Sequence, residues 1–192
     1  FGECEEYENN ILSDEDVCSS IVIGVRSQMQ SIAKNKNTII ERTVAEPFLT
    51  RFSAGPEVVM GELFILPVEE YYTSGDSGTT INNRRINTRR TNLVEVYISS
   101  FIRCTNRSDI NDWRQHLRYE RACLTIVRME EDLPRFYRTL QEMHAEGIVS
   151  QEFYNANHEA YDQHLSPVNF ARDLVAAHRA RWPDLYPDAE NQ

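Results

Sequence analysis

No stretch of this chain is apolar for the ~20 residues that a bilayer-spanning helix needs. The longest candidate, Ile21-Val22-Ile23-Gly24-Val25, stops at Arg26. The opening Phe1-Gly2-Glu3-Cys4-Glu5-Glu6 has neither the basic start nor the apolar stretch of a secretory signal. It opens on Phe1 and not on Met, so it reads as trimmed or as starting upstream. Only seven glycines are present, and none builds a GxGxxG or GxxxxGK[ST] phosphate loop. No C-x-x-C pair occurs among Cys4, Cys18, Cys104 and Cys123, so a structural zinc site is not expected. Their even number allows free thiols or two bridges, for instance Cys4–Cys18 and Cys104–Cys123.

Catalytic constellations are absent too. Gly75-Asp76-Ser77-Gly78 resembles the serine segment of trypsin-like proteases, whose nucleophile needs a histidine and an aspartate placed before it in the chain. Here His116, His144, His158, His164 and His178 all follow Ser77. His158 and His164 are six residues apart, about 240° round a helix, so they cannot share a metal as an HExxH pair does. No catalytic residue, metal or cofactor is expected.

What is present is a charge pattern. Residues 1–83 hold five basic and fourteen acidic side chains, residues 84–128 ten and four, and residues 129–192 five and twelve. The chain is therefore acidic, basic and acidic in turn, with a net charge of −10. Every basic residue of the middle block is arginine. Four of them, Arg84, Arg85, Arg89 and Arg90, lie within Asn82-Asn83-Arg84-Arg85-Ile86-Asn87-Thr88-Arg89-Arg90. An extended chain sets Arg85 and Arg89 on one side and Arg84 and Arg90 on the other. Guanidinium forks grip carboxylate or phosphate. The run therefore suits an acidic protein, a neighbouring copy of this chain, or DNA.

Periodicity predicts an α+β fold with a small antiparallel sheet, a long hairpin packed by amphipathic helices, and a helical C-terminal third. Cys18, Ile21, Val25, Met29 and Ile32 space as one helical stripe after Ser13. Residues 38–44 read as a short strand that Pro47 closes. Residues 58–66 read as a strand whose end Pro67 demotes to an edge or bend. Residues 93–102 alternate as a second strand, so 73–92 becomes an unusually long hairpin connection. Helices are expected from Ser108 or Asn111 (Ile110, Trp113, Leu117, Leu124 and Val127, with Glu120 interrupting the stripe) and from Asp132-Leu133-Pro134 to Gly147. Two more are expected from Ser150 and from Ser166-Pro167, the last carrying Phe170, Leu174, Val175 and His178. The expected division is an acidic arm (1–12), a core (13–128), a helical lobe (129–183) and a polar tail (184–192).

Arg89-Arg90-Thr91 leading into the strand read at 93–101, followed by an Asp-rich turn and helix at 109–117, resembles the tail-terminator and tail-completion proteins of tailed bacteriophages. The resemblance spans residues 14–128. It implies a non-enzymatic, ring-forming virion subunit that contacts copies of itself and other neck or tail proteins. The alternative is a monomeric adaptor or inhibitor that docks an acidic partner through its arginine hairpin.

Overall fold

The computed structural model describes residues 14–29, 31–68, 70–73, 81–84, 93–129 and 133–186. A short α1 (Asp14–Cys18) leads into the edge strand β1 (Ile21–Ser27). The expected helix over this segment is therefore corrected. Its stripe of i, i+3 and i+4 spacings is also a run of β-branched residues, which lose rotamer freedom in a helix and fit a pleated surface.

The expected strand at 38–44 is likewise corrected. It lies inside α2 (Ile32–Ala54), which runs straight through Pro47. The proline removes one main-chain hydrogen bond. Its ring shares the buried stripe Ile39, Thr43, Pro47 and Arg51, so burial offsets that loss.

β2 (Val59–Pro67) forms where expected, but between two neighbours instead of at an edge. β3 (Glu70–Thr73) and β4 (Ile81–Arg84) pair antiparallel as a separate two-stranded ribbon. The predicted hairpin thus exists with other arms, because residues 93–102 are not a strand. They form α3 (Leu93–Arg103). Leu93, Val94, Tyr97, Ile98 and Phe101 are all buried, which is a helical i, i+1, i+4, i+5, i+8 set. Near-continuous apolarity also satisfied a two-residue alternation.

After a 3-10 turn at Trp113–Leu117 comes β5 (Arg121–Arg128), where a helix was expected. All but its last residue are buried, so the strand shows no alternation. β6 (Arg135–Tyr137) follows, then α4 (Leu140–Ala145), α5 (Gln151–His164) and α6 (Phe170–Arg181). Ser150 caps α5, its hydroxyl accepting from the Phe153 amide at 3.2 Å, as its sequence position suggested.

The fold is α+β. The four-stranded sheet has the order β1-β2-β5-β6 and is mixed, not antiparallel: β1, β2 and β5 run parallel and only β6 opposes. Space and sequence share one strand order across the parallel part, so no topological switch point opens a ligand crevice there. Phe64, Leu66, Leu124 and Ile126 face α3, α4 and α5 in the main core. On the other face Val59 and Cys123 meet Phe170 and Leu174 of α6. α6 comes so close that a Cβ on Gly61 would stand 2.6 Å from Leu174 Cδ1. Residues 129–183, expected as a helical lobe, add β6 to the sheet and supply α4, α5 and α6 to its two faces.

Candidate functional site

Of the four arginines singled out in the sequence, Arg84 ends β4 opposite Glu70 of β3. Its side chain, and all of Arg85, Arg89 and Arg90, lie outside the described residues, as do Cys4, Ser77, the 1–12 arm and most of the 184–192 tail. The fold brings together two other charged groups, both built around a buried glutamate.

Glu120 stands at the entrance to β5. Its Oε2 accepts from Arg51 Nη2 at 2.9 Å and from the Met60 amide at 2.7 Å. Its Oε1 faces Arg107 Nη1 at 3.1 Å and Arg181 Nη2 at 2.6 Å. Each guanidinium also donates through its Nη atoms to main-chain carbonyls, while Nε of Arg51 and of Arg107 is buried without a partner. Arg51 reaches those of His116 and Arg118, Arg107 those of Pro56 and Ile110, and Arg181 those of Glu57 and Val58. One carboxylate thereby rivets the end of α2, the loop before β5, the start of β2 and the end of α6. Burial pulls the Arg51 guanidinium down to about 10, against the attraction of Glu120, and lowers Arg107 in the same way. The interruption that Glu120 made in the apolar pattern was the sequence signal for this group.

The second group lies beneath α2. Glu62, on β2, accepts a bidentate pair of bonds from Arg26 of β1, both at 2.9 Å. Arg26 also binds Glu46 of α2, and the Tyr119 hydroxyl donates to Glu46 at 3.2 Å. Gly24 leaves the room: a Cβ there would stand 2.3 Å from Glu62 Oε2. Burial pushes the Glu62 carboxyl above its ordinary value, and nearby Glu46 adds to this, outweighing the pull of Arg26. Burial pulls Arg26 down, but its two carboxylates more than reverse that, so it stays cationic. Tyr119 is raised by burial and by the same carboxylates. With both Glu62 oxygens held by one guanidinium, the arrangement clamps β1 to α2 and leaves little capacity for proton transfer. Nothing in the sequence pattern marked it, because its bonded pairs sit 20 to 93 residues apart.

The histidines do not converge. His178 Nε2 donates to the Ser19 carbonyl at 2.9 Å, which leaves Nδ1 to accept from Tyr186 at 2.8 Å. His144 and His158 both stack against Tyr154. Among the described residues no three His, Cys, Asp or Glu side chains gather as a metal site. Cys104 and Cys123 are buried and not bridged, so the pairing considered for them is corrected. Burial raises both thiols.

Among the exposed apolar side chains, two groups bear on partner contact. On α2, Phe48 and Phe52 stack with centroids 6.2 Å apart beside Leu49, and Phe52 is 82 % exposed. On β1, Ile23 and Val25 are 44 % and 68 % exposed. Comparison with protein-family models, curated proteins and solved structures finds no match to this chain.

Proposed function

We propose that this chain is a structural subunit that works by protein–protein assembly, without chemistry of its own. The observation that carries the reading is the Phe48, Leu49 and Phe52 cluster on α2. Stacked aromatic rings left in water fit a surface that a protein partner covers. The charge pattern supports it in a narrower sense than before. Arg107, Arg121 and Arg128 of the basic block are neutralised inside the fold by Glu120, Asp173 and Glu146. In this reading Arg84, Arg85, Arg89 and Arg90 are the arginines that would meet an acidic partner or DNA.

The ring-forming subunit of a phage neck or tail is the specific form of this reading. It keeps less of its sequence support, since the strand that carried the resemblance is α3, and 109–117 is a turn entering a 3-10 helix. A monomeric adaptor gripping an acidic partner through the arginines is the second reading.

Light scattering in low salt tests the proposal. Wild type should exceed monomer mass, and F48S/F52S should lower it while the far-UV circular dichroism is unchanged. A strict monomer at high concentration overturns assembly. Retention on polyglutamate that is lost in R84A/R85A/R89A/R90A would then favour the adaptor.

A further inference from the structure

The two edges of the four-stranded sheet are treated differently. Natural sheets blunt their edges by shortness, charge or proline, because free main-chain amides and carbonyls template another strand. The β6 edge is blunted: it is three residues long and carries the largely exposed Arg135. The β1 edge is not. It runs seven residues, contains no proline or lysine, and among the described residues pairs only with β2. Its one charge, Arg26, is turned under α2 and neutralised by Glu46 and Glu62.

The side chains along this edge are apolar as well. Ile23 and Val25 project to the face that α6 covers, and α6 does not reach them. One flank of α6 is tied to β5 through Asp173 and Arg121. An edge that among the described residues pairs only with β2, and that carries exposed branched apolar side chains, calls for an extended strand.

We propose that the strand is β1 of a second copy, added antiparallel, so that two four-stranded sheets fuse into one of eight. This rests on the assembly reading and names a second contact that serves it beside the α2 cluster. Self-complementarity carries the choice of occupant. The register that pairs all seven residues sets Gly24 opposite itself, and then Ile23 faces Val25 of the second copy, twice, on the α6 side. Cross-strand pairs of branched side chains are the stabilising unit of a sheet. On the other face Arg26 meets Val22 of the copy, so no like charges oppose each other. A chain of net charge −10 repels its copy over most approaches, and the neutral edge is where contact costs least.

Sedimentation equilibrium on the full chain tests this with V25K and F48S/F52S beside wild type. V25K should keep the wild-type dichroism and melting temperature, because Val25 is mostly exposed in the single copy. It should weaken dimerisation by roughly tenfold or more, the cost of setting an ammonium against Ile23. Under mild oxidation I23C/V25C should give a covalent dimer on non-reducing gels, beyond what the native cysteines of wild type give. An undiminished V25K dimer that F48S/F52S dissolves overturns the edge pairing and leaves the assembly reading standing. A wild type that is monomeric at every concentration overturns both.

Discussion

Glu120 and Glu62 are both buried in the same sheet, yet their surroundings are opposite. Glu120 meets three guanidiniums, and Glu62 shares a single guanidinium with a second carboxylate. The first site is therefore rich in positive charge and the second in negative charge. A buried ion is tolerated when its partners are close and its lone pairs are filled, and it is expensive once a partner goes. The Glu120 group meets that condition by adding cations, each of which also donates to main-chain carbonyls. The Glu62 group meets it with one bidentate pair, so a single side chain holds it together. One is a rivet with redundancy, the other a clasp without it.

The largest effect should come from Glu120→Ala. It strands three cations whose side chains are largely or fully buried, Arg51 and Arg107 at 1 % exposure or less. A loss of about 3–5 kcal/mol in urea unfolding is expected. A loss below about 1 kcal/mol would mean that the carbonyl cage alone holds the arginines.

Arg26→Ala sharpens the contrast through pH. It leaves the Glu62 carboxyl buried beside Glu46 with no cation, at a cost of about 2–4 kcal/mol at neutral pH. The folded-state pKa of Glu62 is already raised above the ordinary 4.5, and removing Arg26 raises it further. A raised carboxyl favours the fold fully below its unfolded value and loses that contribution as pH rises through the folded value. The deficit of the variant should therefore be small near pH 4 and grow toward neutrality. Stability curves of both proteins from pH 4 to 8 decide it. A deficit constant across that range would place the cost in lost packing of the arginine stem.

What could be read beforehand follows the same division between local and distant. β2, α5 and α6 were legible because their signals are local: a β-rich run ending at Pro67, a Ser150 cap, and the Phe170, Leu174 and His178 stripe. β1, α3 and β5 were not, because the apolar residues of each fall at spacings that satisfy both the helical and the strand period. α2 was hidden by Pro47, whose cost is offset only by burial that the sequence does not display. Of the charged groups, Glu120 left a trace as a misfit in an apolar pattern. Glu62 left none, since its partners come from another strand, a helix and a distant loop.

Gly24→Ala should have the smallest effect, and it bears most directly on the clasp. The glycine is in strand β1, where its value is space and not an unusual backbone angle. An added Cβ would stand 2.3 Å from Glu62 Oε2, so the carboxylate must move and at least one arm of its grip on Arg26 must open. The cost should be about 1–3 kcal/mol, as for other overpacked interiors. If displacement of the carboxylate is the whole reason, the same substitution in a Glu62→Ala background should be nearly neutral. The two changes would then couple by most of the single-variant cost in a double-mutant cycle. Additive losses would show instead that Gly24 serves the strand itself, and that the clasp tolerates a shifted glutamate.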